Sequence, residues 1–460
     1  MTAISFPRVR RPRPIAFLVA AAALVAATQV GALIRPAGPP APQPVTPVTV
    51  NGPVTAPDAP VVNAPGSLAQ IDHSIAAWTQ NLATNDKDFL SAADLGLLYE
   101  ARARLSGDIG DYTRAQDAVD RSLAIVPTQI DVLAEHARLA LATHDFGRAL
   151  SEAQSLDRTA PNQPAILAII ADAQLELGDV DTAAATYERI QKVATSPAIA
   201  ARLARVAFLR GDPAGAVRMA EAAQAGAAAA GIEGPSLSWY SYVTGTMQLA
   251  AGSPEAAASS FDKALEAWPE SFLALAGRAR AAAALGRVDD AIDGYRAAIA
   301  VAPQPDALTA LGDLLSLRGD DRAAQQQYDT VLAIAKLQGS GGLIFNRQLV
   351  LFDVNHGRDL PAALALADKE LAGRHDIYGY DAEAWALLAN GRAADADAAM
   401  AKALGLGTRD ATLLYHAGEI ALAVGDSTEG RDLLRQSLAI RGALDPLSAS
   451  KAKASLEALR

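Results

Sequence analysis

The sequence contains no cysteine among its 460 residues, and aromatic residues make up only 5% of it. The absence of thiols excludes disulfide bonds and thiolate metal sites. Runs of β-branched and aromatic residues are scarce after residue 65, which disfavours sheets. Hydrophobic residues nevertheless account for 51% of the chain, and alanine, the best helix former, carries most of that share. The composition therefore indicates closely packed helices.

Sequence motifs of common enzymes are also missing. The chain has no phosphate-binding loop of the G-x-x-x-x-G-K-[ST] type, no H-E-x-x-H zinc motif and no G-x-S-x-G nucleophile elbow. The six histidines are scattered, without the spacing of metal ligands. We therefore expect no catalytic residues, no metal site and no cofactor, and we expect that the protein is not an enzyme.

Charge is distributed unevenly along the chain. Residues 1–65 hold five arginines and one aspartate, whereas residues 66–460 hold 35 basic and 50 acidic residues. Nucleic-acid binding generally needs a basic surface, so this acidic body argues against nucleic acid as a partner.

The N-terminal region predicts export across a membrane. Four arginines between residues 8 and 13 precede an uncharged stretch over residues 15–34, which as a helix would span about 30 Å, one bilayer core. The basic flank would stay in the cytoplasm, and the rest of the chain would lie outside it. Residues 1–35 are thus a membrane anchor, or alternatively a secretory signal cleaved near Ala32. A third interpretation, a buried helix of a cytosolic domain, stays open.

Residues 36–66 are predicted to form an extended linker. Ten prolines occur within residues 36–65, which prevents a helix and favours polyproline II. Such a linker would separate the membrane from a folded domain.

A repeated turn residue organises the remainder of the chain. Seven of the nine gaps between these turn residues are 33 or 34 residues long, and the other two are 41 and 38. Glycine suits the left-handed conformation that ends a helix, and an adjacent aspartate can cap the next helix. The turn residues are Gly110, His144, Gly178, Gly211, Gly252, Gly286, Gly319, Gly357, Gly391 and Gly425.

A small residue follows each turn residue by five positions, and a bulkier apolar residue often follows four positions later. A small side chain allows two helices to approach closely, and the bulkier one would pack between them. The small residues are Ala115, Ala149, Ala183, Ala216, Ala257, Ala291, Ala324, Ala362, Ala396 and Gly430. The bulkier residues are Val119, Tyr187, Phe261, Tyr295, Tyr328, Met400 and Leu434.

This pattern resembles the tetratricopeptide repeat family, whose motif is a helix-turn-helix of 34 residues. The clearest copies are residues 237–270 and the copy that ends at residues 285–303. The leucine-glycine pair of the first helix occurs at Leu95 and Gly96 and again at Leu311 and Gly312. The resemblance covers residues ~91–440. It implies an all-α, right-handed solenoid of about ten helical hairpins over residues 91–445. Capping helices are expected over residues 67–90 and 446–460.

The resemblance also implies that the first helix of each hairpin lines a concave groove in which partner peptides lie. With the first helices oriented in this way, eight aromatic, arginine and glutamate residues would lie in the groove. They are Trp239, Tyr242, Arg280, Arg347, Tyr378, Trp385, Tyr415 and Glu419. Aromatic residues and arginine dominate binding hot spots. The alternative is that the aromatic residues form the core between repeats and that the two arginines are simply solvated.

These observations favour a scaffold, anchored in a membrane or exported, that binds protein or peptide partners. Two other functions remain open: a regulatory or assembly subunit of a membrane enzyme complex, and a sensor of a peptide or small ligand.

Overall fold

The computed structural model describes residues 67–341 and 346–460. They contain 22 helices and no strand. The hydrophobic segment and the proline-rich linker expected before residue 67 lie outside the described residues. The helices are α1 (Leu68–Thr84), α2 (Phe89–Ser106), α3 (Gly110–Ile125), α4 (Ile130–Ala142), α5 (Phe146–Thr159), α6 (Pro164–Glu176), α7 (Val180–Val193), α8 (Pro197–Leu209), α9 (Pro213–Ala229), α10 (Gly234–Ala250), α11 (Pro254–Ala267), α12 (Phe272–Ala284), α13 (Val288–Val301), α14 (Pro305–Leu317), α15 (Asp321–Gly341), α16 (Asn346–Asn355), α17 (Leu360–Gly373), α18 (Ile377–Ala389), α19 (Ala393–Ala403), α20 (Ala411–Ala423), α21 (Ser427–Ala439) and α22 (Pro446–Ala458).

Helices α2 to α21 pack as ten consecutive hairpins, in which each even-numbered helix contacts the odd-numbered helix that follows it. Each hairpin also contacts the next one, so the hairpins stack into a solenoid. Helix α1 packs on α2, and α22 packs on α20 and α21. The predicted all-helical solenoid of about ten hairpins is confirmed.

Nine of the ten expected turn residues have the positive φ that the sequence predicted, and Gly110 is the exception. His144, the only non-glycine among the expected turn residues, has φ of 66°. The prediction for Gly110 is wrong, because Gly107 has the positive φ of 76° and ends α2, whereas Gly110 begins α3. Helix α2 ends at Ser106, and its turn therefore falls three residues earlier than the periodicity suggested.

Three of the aspartates that follow a turn glycine cap the next helix. The carboxylates of Asp212, Asp320 and Asp426 each accept a hydrogen bond from a backbone N–H three residues later. Asp111 is instead buried inside α3, where its carboxylate pairs with Arg102 at 2.7 Å. Asp179 makes no side-chain capping bond.

The small residues occupy the interface between the two helices of each hairpin. Nine of the ten expected positions are buried, and Ala362 is the exception because it is exposed while Ala363 is buried. In this hairpin Asp359, two residues after Gly357, is the N-cap of α17. The helix therefore begins one residue late, and the position that faces its neighbour shifts by one.

The bulkier residue of the second helix packs on a glycine of the first helix where such a pair occurs. A Cβ added to Gly312 in α14 would lie 2.3 Å from Cε1 of Tyr328 in α15. The Tyr328 ring is buried, and its hydroxyl donates to Asp313 at 2.8 Å. The leucine-glycine pair of the repeat thus makes room for an aromatic ring.

We predict that Gly312→Ala lowers the free energy of unfolding by about 1–3 kcal/mol, because the added methyl overpacks the contact with Tyr328. Gly147→Ala in α5 is the control, because its Cβ would meet no atom within 4 Å. Urea unfolding followed by circular dichroism measures both. Equal stability of the two variants would contradict this packing.

No helix in residues 67–341 or 346–460 has both the length and the hydropathy needed to cross a membrane. The segment at residues 15–34, for which we expect an anchor or signal, is not among them.

Candidate functional site

The solenoid closes on itself, so that hairpins far apart in sequence come into contact. The turn at Gly178, between α6 and α7, lies against His375 in the loop before α18. In the same way, the turn at Gly211 lies against Gly407 before α20, and the turn at Gly252 lies against Arg441 before α22. We call this line of three turn-to-loop contacts the seam.

Glycine is required sterically at the seam. A Cβ on Gly178 would lie 2.6 Å from the carbonyl oxygen of His375, and one on Gly211 would lie 2.4 Å from that of Gly407. Both glycines also have positive φ. The turn glycines therefore serve two purposes here, because they end a helix and let another loop approach the backbone.

Polar contacts cross the seam at each level. The Thr408 hydroxyl donates to the carbonyl oxygen of Leu209. Arg280 in α12 donates from Nη2 to the carbonyl oxygen of Ala443 at 2.8 Å.

Glu176, at the end of α6, is the centre of a buried ion-pair network. Its side chain is 1% exposed and pairs with both Arg205 in α8 and Arg374 after α17. Arg374 also donates from Nε to the backbone oxygen of Glu176 at 2.9 Å. One carboxylate thus joins its own neighbouring repeat to a segment 198 residues away.

The charges around Glu176 decide its protonation. Burial by itself raises the pKa of this carboxyl, but the positive charges of Arg205 and Arg374 outweigh burial and lower the pKa to about 2. Glu176 is therefore ionised at neutral pH.

A second carboxylate extends the network toward α16. Asp376, the N-cap of α18, forms an ion pair with Arg374, whose Nε lies 2.6 Å from its carboxylate, and accepts a hydrogen bond from Arg347 Nη2 at 2.7 Å. Glu370 lies 3.5 Å from Arg347 and 3.7 Å from Arg374. Three arginines and three carboxylates are therefore matched at this part of the seam.

Between its two sides the closed solenoid forms a cavity of ≈ 360 Å³ that is partly open to solvent, which we call the central cavity. Its wall comes from α8, α10 and α12 on one side and from α16, α17, α18 and α20 on the other. Five of the eight residues predicted for the groove line it: Trp239, Tyr242, Arg280, Arg347 and Tyr378.

The aromatic residues from α10 present both apolar surface and polar atoms. Trp239 is half-buried, its ring packs edge-on against Tyr240, and its buried indole Nε1 has no hydrogen-bond partner among the described residues. The Tyr242 ring packs on Phe261 with ring centres 5.9 Å apart, and burial raises the pKa of its hydroxyl. An occupant of the central cavity would contact both.

The two arginines at the cavity differ in their surroundings. Arg280 is exposed, and Ala443 supplies its one hydrogen bond in the described part of the chain. Arg347 is held by Asp376 and Glu370, with its buried Nε left without a hydrogen-bond partner there. Arg347 is thus part of the ion-pair network and is not simply solvated.

The remaining three predicted groove residues lie elsewhere. Tyr415 is 2% exposed and belongs to the core around α20 and α22. Trp385 stacks on His416 with ring centres 4.1 Å apart and donates from Nε1 to Asn355 at 2.8 Å. For these two aromatic residues the structure supports the alternative of a core between repeats.

Glu419 is the third of these residues, and it is half-buried near α22. Burial raises the pKa of its carboxyl, and a hydrogen bond with Ser455 opposes that shift. Glu419 is not part of the wall of the central cavity.

Sequence reasoning missed the charged residues of α6 and α8. Asp172 in α6 binds Arg202 in α8 with both carboxylate oxygens, at 2.8 and 2.9 Å, and both side chains are 1% exposed. Glu176 follows Asp172 by four positions, on a helix that is otherwise almost entirely apolar and buried. Two carboxylates four positions apart in an otherwise apolar helix could have predicted a buried ion-pair network from the sequence.

A second cavity of ≈ 350 Å³ adjoins the central cavity. The two cavities share Tyr242, Thr246, Arg280 and Thr412. In the ranges 67–341 and 346–460, no group of three or more histidine, aspartate or glutamate side chains is placed to hold a metal ion.

Comparison with known families identifies the repeat. The family model of the tetratricopeptide repeat matches residues 134–198 and 242–307. Each matched segment covers helices of the hairpin array described above. Over these two segments the chain matches the tetratricopeptide repeat, as the spacing of the turn residues predicted. No curated protein sequence matches the chain significantly.

Several solved structures resemble the chain. They include the APC/C hetero-tetramer Cut9–Hcn1, with 15% identity, TM-score 0.40, and coverage of 85% of this chain and 84% of that chain. The human IFIT1 dimer with PPP-AAAA shows 14% identity, TM-score 0.44, and coverage of 81% and 87%. Yeast Tom70 shows 14% identity, TM-score 0.34, and coverage of 85% and 92%. With such low identities and TM-scores, these likenesses carry no information about the partners or activity of this chain.

We predict that Arg374→Ala opens the seam, because it leaves Glu176 and Asp376 buried with fewer positive charges. Removing one partner of a buried ion pair costs about 3–5 kcal/mol. Small-angle X-ray scattering should show a larger radius of gyration for this variant. Arg392→Ala is the control, because Arg392 forms an exposed pair with Asp395 away from the seam. An unchanged radius for Arg374→Ala would contradict the role of the network.

Proposed function

We propose that this protein is a non-catalytic scaffold that binds a protein or peptide segment inside its closed solenoid. The observation that carries the proposal is the convergence of Trp239, Tyr242, Arg280, Arg347 and Tyr378 on one cavity. These residues come from four helices, α10, α12, α16 and α18, and from both sides of the seam. Aromatic and arginine side chains in a concave site are the usual anchors of an interface.

The size of the interior limits the kind of partner. Cavities of about 300–1,000 Å³ hold small ligands or short segments. The central cavity and the adjoining cavity fall at the lower end of that range. A peptide segment inserted into the interior fits this space better than a folded domain does.

A sensor of a peptide or small ligand is the second candidate function, and the seam favours it. A ligand that contacts α10 and α12 together with α16 and α18 would bind the closed solenoid more tightly than an opened one. Binding would therefore shift the population toward the closed form.

Photo-cross-linking tests binding in the interior. We expect p-benzoylphenylalanine in place of Met247, which lines the central cavity, to cross-link a partner in cells of the native host. The same probe in place of Met219, which is 40% exposed on α9, is the matched control. Trp239→Ala should reduce the cross-link at position 247. A cross-link of equal yield at both positions, or at position 219 alone, would contradict binding inside the solenoid.

We further propose that the solenoid lies outside the cytoplasm, either held in a membrane by residues 15–34 or released after cleavage near Ala32. The basic flank and the uncharged stretch that follows it support this location. Fractionation of native cells with intact-mass analysis tests it. We expect full-length protein in the membrane or a shortened chain beginning near Leu33 in the exported fraction. Full-length protein in the cytosol would refute export.

A further inference from the structure

The adjoining cavity is built from α10, α11, α12 and α14 and is closed by the loop between α21 and α22. Tyr242, Phe261, Phe272 and Leu314 contribute apolar surface to its wall. The loop contributes Gly442, Leu444 and Asp445, so this cavity also depends on the seam. The shared residues make it a continuation of the central cavity.

Gln304 is the unusual residue of this cavity. Its side chain is 3% exposed, yet neither its amide Nε2 nor its Oε1 has a hydrogen-bond partner in the described part of the chain. A buried amide with no partner costs stability, so buried polar groups are nearly always paired. Gln304 lines the cavity, and an occupant could supply both missing hydrogen bonds.

Two other glutamines provide a comparison within the same chain. Gln129 and Gln163 precede α4 and α6 at the same N-cap position that Gln304 holds before α14. Both are exposed to solvent, which can satisfy their amides. The unpaired, buried amide is therefore a feature of the cavity and is not required by the turn.

A peptide bond complements the amide of Gln304. The glutamine side chain offers one acceptor and two donors, and a main-chain peptide unit offers an N–H donor and a carbonyl acceptor. An extended segment, whose main-chain groups are not used internally, can form both hydrogen bonds at once.

The charges of the cavity favour a basic side chain. Asp313 is engaged by Tyr328 and His356, and one oxygen of Asp445 caps Ser448. The carboxylate of Asp306 makes no hydrogen bond and no ion pair within 4 Å with another described residue. Burial raises its pKa to about 6, and the positive charge of Arg280 on the same wall opposes that shift.

Arg280 is the arginine of this wall, and it donates to Ala443. The carboxylates of Asp306 and Asp445 therefore remain available to a cation, whereas they would repel a phosphate group.

We propose that the adjoining cavity binds an extended peptide segment that carries a lysine or arginine side chain. Gln304 pairs with a main-chain amide of that segment, and Asp306 and Asp445 receive its cationic side chain. This inference rests on the proposed function, since it names the chemical class of the partner that enters the interior. The acidic character of residues 66–460 would also attract a basic segment.

Binding of blocked tetrapeptides to the full chain tests the inference. Two pools are titrated by calorimetry, each acetylated and amidated, with apolar residues at three positions and either lysine or glutamate fixed at the fourth. We expect the lysine pool to bind at least about tenfold more tightly than the glutamate pool, since the ion pair is partly desolvated. Asp306→Asn should reduce this preference.

Substitution of the glutamine separates binding from folding. Gln304→Leu should weaken binding of the lysine pool by about tenfold, because two hydrogen bonds are lost. Its melting temperature should be unchanged or higher, because an unpaired buried amide is replaced by an apolar group of similar size. Gln163→Leu, at the same N-cap position but exposed, should leave binding unchanged.

Equal binding of the two pools, or equal effects of Gln304→Leu and Gln163→Leu, would overturn the inference. If position 247 still cross-links a partner in that case, the proposed function stands and only the assignment of the adjoining cavity fails. Binding of adenosine monophosphate that depends on Gln304 would likewise overturn it in favour of a nucleotide.

Discussion

The close approach of hairpin turns to distant loops is the constraint on which the interior of this protein depends. At Gly178 and Gly211 the backbones meet so closely that no side chain fits between them. This contact brings α6 to α12 against α16 to α22 and turns an open concave groove into a cavity lined from both sides. The residues that line this space come from both sides, so neither half of the solenoid forms the site alone.

Buried charges determine how the two sides of the seam align. Glu176 is almost fully buried, and its three positive neighbours, Arg205, Arg347 and Arg374, stabilise its ionised form. Burial of an ion pair costs desolvation, so such a pair adds little net stability compared with an apolar contact. Removing one partner of the pair nevertheless destabilises the protein strongly, because an unpaired charge then remains buried. The network therefore penalises any arrangement of the solenoid in which Arg374 does not reach Glu176, which favours one closed form over alternatives of similar packing.

The local structure was predictable from the sequence because each hairpin carries its own signals. His144 was placed correctly in a turn although it is not glycine, since the spacing on both sides required one. Gly110 and Ala362 were misplaced by a few residues because helix lengths and caps vary between repeats. The closure was not predictable, since it results from small rotations that add up over successive hairpins. Without the closure, the sequence could not show that Trp239 and Tyr242 line the cavity whereas Trp385 and Tyr415 belong to the core. All four residues lie on the first helix of a hairpin.

The distance across the seam tests this account most directly. Because the chain has no cysteine, spin labels can be attached to Thr182→Cys in α7 and Ala401→Cys in α19. Both positions are exposed, and the two helices line the same cavity beside the seam. Double electron–electron resonance should give one narrow, short distance in the otherwise unaltered protein. A broad distribution centred at long distances would show that the solenoid is open in solution, and the enclosed binding interior would then not exist.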